Sequence, residues 1–221
     1  MNSEQTDREQ RAARYAALAD PARLHILDLL TAGDLSPQEL LTRLGMTSNL
    51  LSHHLKVLER AGIVARTRSE GDRRRTYVSL QREPDGVSAS RATLRARRIV
   101  FVCTANSARS QLAEHLWRTR STIPVASAGT IPAPAVAAGA IAVAAEHGID
   151  LSRATPKLLS DVRHNDDTLI SVCDSAHEFL EHTQLHWSIP DPVAVSAPDA
   201  FEQTYQHLVR RINGLLPQLA A

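Results

Sequence analysis

The chain has 221 residues, of which 43% are hydrophobic and 22% are charged, with a net charge of +1. This composition is too apolar for a disordered chain, no run of about 18 apolar residues predicts a membrane span, and the polar segment 1–14 does not resemble a signal peptide. We therefore expect a cytoplasmic protein without a membrane partner, built as one large domain or two ordinary ones. In that compartment its two cysteines, Cys103 and Cys173, are more often reactive than structural.

The first part of the chain predicts three helices in succession. A first helix spans about 7–18, and Asp20-Pro21 starts the second, because Asp is a preferred N-cap and Pro a preferred first residue. A third, short helix starts at the capping box formed by Ser36 and Glu39 and ends at Gly45.

A fourth helix and a β-hairpin follow. Thr47 or Ser48 caps the helix, Gly62 ends it, and its buried stripe consists of Leu51, Leu55 and Leu58. Two strands are predicted over 63–67 and 76–80, with a turn at Glu70-Gly71-Asp72. This order of elements is that of a winged helix-turn-helix, whose second helix enters the major groove of DNA.

The polar residues of this region favour contact with DNA. The outward face of the fourth helix can reach base edges or phosphates and comprises Ser48, Asn49, Ser52, His53 and Lys56. Arg73, Arg74 and Arg75 at the hairpin tip are expected to contact the DNA backbone or minor groove. Residues 56–82 contain eight basic against three acidic side chains, which fits nucleic acid. The alternatives are a solvated hairpin and a helical domain that binds protein.

Three stretches carry a family resemblance: LADPARLHIL at 18–27, LSHHLKVL at 51–58 and AGIV at 61–64. They resemble the ArsR/SmtB repressors, which implies a homodimer on palindromic double-stranded operator DNA that an inducer releases. Ser36 and Gln38 stand where many arsenic-sensing members carry a pair of cysteines. We therefore expect no inducer site in this domain, and we interpret His53 and His54 as surface or DNA-facing residues rather than metal ligands.

Composition places a domain boundary after the hairpin. Pro84, Gly86 and two serines predict a linker over 83–96, between a domain at 1–82 and a second at 97–221, although a short helix over 90–97 is also compatible. The second domain opens with a β-branched strand over 98–102, a loop and a helix over 111–119.

The loop between that strand and helix predicts an anion site. Consecutive backbone N–H groups and a helix N-terminus form a cradle for a tetrahedral oxyanion and favour a thiolate at its centre. The candidate oxyanion-binding residues are Thr104, Ala105, Asn106, Ser107, Ala108, Arg109 and Ser110. Within this set Arg109 can clamp two oxygens, Ser110 can hydrogen-bond the thiolate of Cys103, and Asn106 can brace the loop.

A nucleophile attacking phosphorus or arsenic also needs an acid for the leaving oxygen. Asp191 lies between two prolines, after a predicted strand over 184–188, and is a candidate for this role. The alternative is an ordinary Asp-Pro turn.

These features resemble the low-molecular-weight protein tyrosine phosphatases and, within them, the arsenate reductases. The matching stretches are VCTANSARSQLAE at 102–114, SAGT at 127–130, HGIDLS at 147–152 and Asp191-Pro192. The resemblance implies an α/β fold with a four-stranded parallel sheet, Cys103 as nucleophile, Arg109 as the oxyanion ligand and Asp191 as general acid. Ala105, where the family often has Gly, is a departure from the pattern.

The resemblance also assigns an expected role to Cys173, which follows a predicted strand over 168–172. It stands in the place of the first resolving cysteine of thioredoxin-linked reductases, but 174–181 contains no further cysteine. A reductase would need no bound cofactor but an external thiol such as thioredoxin, glutaredoxin or a small thiol. The alternative is an inert buried cysteine.

The remaining candidates favour structure over chemistry. His177, His182 and His186 match no metal-ligand pattern, so no metal is expected. The last segment predicts an amphipathic core helix with Phe201, Tyr205, Leu208, Ile212 and Leu215. The sequence thus predicts a mainly α winged helix-turn-helix fused to an α/β domain that handles arsenate or phosphate. That domain is either an arsenate reductase, a phosphomonoester phosphatase, or a sensor of oxyanions or oxidation.

Overall fold

The computed structural model describes residues 3–81, 94–180, 183–195 and 197–220. The chain divides into two compact units: Met1–Arg68 with Arg74–Arg91, and Ser69–Arg73 with Ala92–Ala221. Most of the predicted linker, 83–96, lies outside the described residues. Within the described part of the chain, no helix combines the length and apolarity that crossing a membrane requires.

The described residues of the first unit form four helices and an antiparallel hairpin. The helices are α1 (Ser3–Leu18), α2 (Pro21–Thr31), α3 (Pro37–Leu44) and α4 (Ser48–Arg60), and the strands are β1 (Val64–Arg68) and β2 (Thr76–Leu80). The predicted order of helices and hairpin is therefore confirmed. Leu35 adds a short bridge to this hairpin, because its backbone N–H and C=O both bond to Val78.

The predicted caps explain where the helices begin. The side chain of Asp20 accepts from the backbone N–H of Arg23 at 3.0 Å at the start of α2. At α3, Ser36 and Glu39 form both bonds of the capping box, and Gly45 ends the helix in the left-handed region at φ +61°. Thr47 occupies the N-cap of α4 without a capping bond from its side chain.

The core of the first unit gathers one face of each of α2, α3 and α4 against the hairpin. The predicted stripe of α4 is confirmed, since Leu51, Leu55 and Leu58 are all buried. One expectation is wrong: His54 is also buried on α4, with its Nδ1 3.9 Å from Asp20 Oδ1, and does not face the surface.

Replacing Leu58 with alanine should lower the free energy of unfolding of this unit by about 2–5 kcal/mol, because a fully buried leucine leaves a cavity. Leu50→Ala is the matched control on the same helix. Leu50 is 46% exposed, so its truncation should change the free energy by less than about 0.5 kcal/mol. Denaturant titration followed by the helical signal measures both, and equal losses would contradict the packing described here.

The second unit is an α/β fold around a four-stranded parallel sheet. Its sheet strands are β4 (Arg98–Cys103), β5 (Val125–Gly129), β6 (Asp167–Ser171) and β7 (Leu185–His186), in the order β5-β4-β6-β7. The predicted four-stranded parallel sheet is confirmed. Its helices are α5 (Arg109–Arg118), α6 (Ala138–Glu146), α7 (Leu159–Val162), α8 (Asp174–Leu180) and α9 (Ala200–Leu215).

A second, short parallel pair joins the two ends of this unit. It consists of β3 (Leu94–Arg95) and β8 (Leu219–Ala220). Residues 94–95 were within the predicted linker and the optional helix over 90–97, so that helix is wrong in the part the structure describes. The pairing partner lies more than 120 residues away in the sequence, which local patterns do not reveal.

The core of the second unit lies on both faces of the central strands. Residues 99–102 of β4 are fully buried, as the continuous apolar run of a parallel strand requires. Phe101 contacts Trp117 edge-on, with ring centroids 5.9 Å apart, and Trp187 at 5.6 Å. Helix α5 packs against β4, β5 and α9, so the segment after Cys103 is held on several sides.

Candidate active site

The loop over 104–108 connects β4 to α5 and has its carbonyl groups turned towards a neighbouring segment. Backbone N–H groups of that segment bond to loop carbonyls at 2.8–3.1 Å in four pairs: Thr130 to Cys103, Ile131 to Thr104, Ala133 to Ala105 and Ala137 to Ser107. In a trans peptide the C=O and the following N–H point in opposite directions. The N–H groups of residues 104, 105, 106 and 108 are therefore directed to the other side of the loop, as an anion cradle requires.

Cys103 lies at the centre of this loop. Its side chain is buried, and its Sγ accepts a hydrogen bond from the backbone N–H of Asn106 at 3.1 Å. The Ser110 Oγ lies 3.0 Å from the same sulfur. Both contacts stabilise negative charge on sulfur, which a nucleophile carries before the reaction and a leaving group carries after it.

Asn106 holds the loop in its turn. It is the one described non-glycine residue with positive φ, at +48°, a left-handed conformation that costs about 1 kcal/mol and needs compensation. The side chain of Asn106 is fully buried, and it makes four hydrogen bonds. Its Nδ2 donates to Ser110 Oγ at 2.8 Å and Ser127 Oγ at 2.9 Å, while its Oδ1 accepts from the backbone N–H of Lys157 at 2.8 Å and from Gln111 Nε2 at 3.0 Å.

Close packing explains the glycine in the SAGT stretch. A Cβ added at Gly129 would lie 2.5 Å from the Thr104 carbonyl oxygen and 3.1 Å from Asn106 Cβ. Because these contacts involve the loop backbone, no side-chain rotation relieves them. Gly129 thus permits β5 to approach the loop.

Arg109 is the first residue of α5, and its guanidinium is almost completely buried. Its Nη1 donates to the Ile189 carbonyl at 2.9 Å, and its Nη2 lies 3.0 Å from Asp191 Oδ2. Burial alone would lower the pKa of Arg109, but Cys173, Cys103 and Asp191, which are all anionic at the high pH where an arginine titrates, outweigh burial and raise that pKa. The site therefore contains a permanent cation beside two thiols.

Asp191 lies near this cation on the segment after β7. The backbone N–H of Val193 donates to Asp191 Oδ1 at 3.0 Å, which fixes the carboxyl group in a turn. Its side chain is 34% exposed, so the group is open to solvent as well as to Arg109. The structure therefore brings two of the predicted site residues, Asp191 and Arg109, together as an ion pair.

Cys173 is buried two residues after the end of β6, the strand beside β4. Its Sγ lies 3.6 Å from Thr104 Oγ1 and accepts from the backbone N–H of Ala176 at 3.4 Å. Burial, together with the negative charge of Cys103, raises the pKa of Cys173, and the cation of Arg109 opposes this only in part. Cys173 is therefore a protonated thiol next to the loop at neutral pH.

A buried polar network adjoins Cys173 and was not predicted. His186 Nε2 lies 3.0 Å from Asp174 Oδ1, His186 Nδ1 lies 3.0 Å from Ser171 Oγ, and the ring of His177 stacks on that of His186 at 4.1 Å. Burial would raise the pKa of Asp174, but the hydrogen bond from His186 and further bonds outweigh it and lower that pKa. All of these residues lie within 171–186, but the contacts among them depend on how β6, α8 and β7 pack, which the sequence pattern does not show.

Metal ligands and DNA-facing residues can be compared with the predictions within each unit. Among the described residues, no cluster of three or more His, Cys, Asp or Glu is arranged to hold a metal ion, and His182 lies outside them.

On α4 the predicted DNA-facing residues Ser48, Asn49, His53 and Lys56 are exposed and Ser52 is half-buried. Arg73, Arg74 and Arg75 are exposed as well, although Arg73 is grouped with the second unit.

Comparison with known proteins agrees with both units. Residues 98–221 match the model of the low molecular weight phosphotyrosine protein phosphatase family, and residues 18–67 match a helix-turn-helix domain. An arsenate reductase of Brevibacillus brevis is 32% identical over 124 residues, covering 52% of this chain and 90% of the relative. An uncharacterized HTH-type transcriptional regulator of Mycobacterium tuberculosis is 48% identical over 59 residues, covering 26% of this chain and 52% of that protein.

Solved structures show the same fold. A tyrosine phosphatase of Erwinia amylovora, AmsI, superimposes with a TM-score of 0.50 at 25% identity and covers 57% of this chain and 95% of its own. The family match covers more than half of the chain and includes every residue of the Cys103 loop. The chain therefore belongs to the low molecular weight phosphotyrosine protein phosphatase family, with a helix-turn-helix domain preceding the family domain.

Proposed function

We propose that the protein is a cytoplasmic transcriptional regulator whose second unit reduces arsenate with the thiolate of Cys103. Arg109 and the N–H groups of residues 104–108 bind the oxyanion, and Asp191 protonates the oxygen that leaves. The sequence similarity to the arsenate reductase of Brevibacillus brevis supports this proposal. The Cys103 loop alone serves a phosphatase equally well, so the choice depends on Cys173.

The observation that carries the proposal is the position of Cys173. Cys103 is the last residue of β4 and Cys173 lies two residues beyond the end of β6, and these two neighbouring parallel strands run about 4.8 Å apart. The side chain of Thr104 contacts the Cys173 sulfur, so the second thiol borders the loop itself. Hydrolysis of a phosphate ester needs no second thiol, whereas reduction of arsenate needs one.

The chemistry proceeds in two steps that balance. The Cys103 thiolate attacks As(V), and a proton from Asp191 leaves with the displaced oxygen as water, giving a Cys103–arsenic adduct. The Cys173 thiolate then attacks Cys103 Sγ, so a disulfide forms, the S–As bond breaks and its electron pair reduces arsenic to arsenite. An external thiol reductant, of the thioredoxin, glutaredoxin or small-thiol class, reduces the disulfide.

The raised pKa of Cys173 makes the second step depend on pH. Burial is the largest cause of that shift and the negative charge of Cys103 adds to it, so Cys173 is protonated at neutral pH. It has to lose this proton before it can attack Cys103 Sγ. The attack should therefore accelerate as the pH rises towards the pKa of Cys173.

Replacing Cys173 with serine separates reduction from hydrolysis. Arsenate-dependent oxidation of the donor should fall by about 100-fold or more, because attack by a neighbouring thiol is favoured over attack by a dilute external one. Hydrolysis of para-nitrophenyl phosphate should be unchanged, since Cys103, Arg109 and Asp191 are retained. Both rates are measured on one preparation, with thioredoxin, glutaredoxin and a small thiol as donors.

Two outcomes would change the proposed reaction or the role of Cys173 in it. Unchanged arsenate reduction in Cys173→Ser would show that an external thiol attacks the adduct directly. Hydrolysis of the ester by the wild type without any reduction of arsenate would favour the second candidate, a phosphomonoester phosphatase. That candidate is supported by the paired Arg109 and Asp191, and by the likeness to the tyrosine phosphatase of Erwinia amylovora.

The first unit supports a role in DNA binding. We propose that it acts as an ArsR-type repressor and binds double-stranded operator DNA as a homodimer through the exposed polar face of α4. No cysteine pair is present at Ser36 and Gln38 to sense arsenic in this unit. A sensor function, in which oxyanion binding or oxidation at Cys103 changes DNA affinity, is therefore the third candidate, and it can coexist with catalysis.

A further inference from the structure

A buried ion pair lies behind the Cys103 loop and plays no part in the steps above. Glu114, on α5, is 2% exposed, and its Oε2 lies 2.9 Å from Lys157 Nζ. Ser127 Oγ donates to the same oxygen at 2.5 Å, while Arg118 binds the other oxygen, Oε1, from the exposed side. A carboxylate so deeply buried is costly unless it is paired and hydrogen-bonded.

Glu114 remains ionised in this setting. Burial would raise its pKa, but the hydrogen bonds from Ser127 and Lys157 outweigh burial and lower that pKa. An ionised carboxylate only accepts hydrogen bonds. The Ser127 hydroxyl must therefore donate its proton to Glu114, which leaves the Ser127 oxygen free to accept.

The hydrogen bonds keep a consistent donor-to-acceptor order from Ser127 to the sulfur atom of Cys103. Ser127 accepts from Asn106 Nδ2, and the second hydrogen of that amide is donated to Ser110 Oγ. Ser110 then has its own proton available for Cys103 Sγ at 3.0 Å. The charge on Glu114 thus sets the direction of the Ser127 hydrogen bond, and the amide of Asn106 relays that direction to Ser110 and Cys103.

Lys157 contributes to this arrangement twice. Its ammonium group neutralises Glu114, and its backbone N–H donates to Asn106 Oδ1 at 2.8 Å. The second bond keeps the amide of Asn106 from rotating, since the oxygen would have to leave a donor that the backbone fixes. Both ends of one residue therefore favour the same orientation of Asn106.

We propose that Glu114 and Lys157 are positioning residues for Cys103: their ion pair orients Ser127 and Asn106 so that Ser110 donates a hydrogen bond to the Cys103 thiolate. This inference rests on the proposed role of Cys103 as nucleophile. Its chemical readout is the rate at which iodoacetamide alkylates Cys103, which requires no arsenate or phosphate ester. Failure of the positioning pair and failure of the proposed reaction are therefore distinguishable.

The first variant is Lys157→Met, which removes the charge and keeps the aliphatic chain. Alkylation of Cys103 at neutral pH should slow by about 10-fold to 100-fold, the range for loss of one hydrogen bond to a charged group. Cys173→Ser serves as the background, so that only Cys103 reacts. Lys157→Arg should restore most of the rate, because it retains a cation beside Glu114.

Arg118→Met is the matched control. Arg118 also pairs with Glu114, but through Oε1, with a side chain that is 57% exposed. Among the residues that the structure describes, no hydrogen bond leads from Oε1 to the loop. Its alkylation rate should equal that of the parent protein. An equal slowing in Arg118→Met and Lys157→Met would overturn the proposal, since the orientation of Oε2 would then be irrelevant.

Two further measurements exclude a purely structural role. Adding methylammonium to a Lys157→Ala variant should raise its alkylation rate, because a small cation can enter the partly exposed site, whereas a loss of stability would not respond in this way. Ser127→Ala interrupts the same series of hydrogen bonds without removing a charge and should slow alkylation similarly, even if Lys157→Met does not fold. An unchanged rate in folded Ser127→Ala, or a Lys157→Met variant with lowered Tm and unchanged rate, overturns the proposal.

Discussion

Replacing Cys103 with serine should lower turnover of both arsenate and para-nitrophenyl phosphate by about 10⁴-fold or more, as removal of a nucleophile does in other enzymes. Serine fits the same space and can keep the contacts with the Asn106 N–H and Ser110 Oγ. It stays protonated at neutral pH, however, so no anion is present to attack. Steady-state turnover of each substrate, compared with the wild type, measures the loss.

Binding of the oxyanion should survive this substitution. Arg109 and the N–H groups of residues 104–108 are retained, so phosphate should raise the Tm of Cys103→Ser much as it raises that of the wild type. Retained turnover in this variant would place the nucleophile elsewhere. A lost response of Tm to phosphate with a folded protein would instead indicate that serine had disturbed the loop.

The same variant tests whether catalysis and DNA binding are connected. Release of operator DNA by arsenate is measured by fluorescence anisotropy for the wild type and for Cys103→Ser. Regulation that persists without turnover would argue for sensing by oxyanion binding or for a first unit that acts independently. Regulation that disappears together with turnover would make the reaction itself, or the thiolate, the signal.

Replacing Arg109 with lysine should lower kcat by about 10²-fold to 10³-fold, the range for losing one preorganised donor to a developing oxyanion. Lysine keeps the positive charge but presents one point of donation, whereas Arg109 binds the Ile189 carbonyl and Asp191 through two separate nitrogens. The planar geometry that clamps two oxygens of a tetrahedral anion is lost. Steady-state kinetics with para-nitrophenyl phosphate separate kcat from KM.

Arg153→Lys is the control for this substitution. Arg153 is exposed in the same unit and lies outside the Cys103 loop in the sequence. Its kinetic constants should match those of the wild type. If Arg109→Lys retained kcat and changed only KM, Arg109 would bind the ground state and the transition state equally, and its role would be restricted to affinity.

The features that the sequence predicted correctly are those encoded within a few residues. The Ser36–Glu39 capping box, the Asp20-Pro21 helix start and the apolar run of β4 each depend on local backbone chemistry, and each is found in the structure. The Cys103 loop belongs to the same class, because its strand, turn and helix are consecutive. The parallel order of four strands came from the family resemblance rather than from spacing.

The features that it missed depend on partners far along the chain. The sequence predicts a surface or DNA-facing role for His54, as for His53, but α4 turns His54 inwards towards Asp20 at the start of α2. Lys157 is one of two lysines in a chain whose other basic residues are arginines, and no local motif connects it with Glu114. Pairing of a buried charge is decided by tertiary packing, which periodicity does not report.

The rigid attachment of the Cys103 loop to its surroundings has a thermodynamic consequence for ligand binding. Its carbonyls bond to the 130–137 segment, Asn106 is fixed by four hydrogen bonds, and β4 and α5 hold its ends. The conformational entropy of ordering this loop is therefore lost during folding and not when an anion arrives. An arriving oxyanion has only to shed its own hydration shell, so discrimination among tetrahedral anions rests on size and charge rather than on adaptation of the loop.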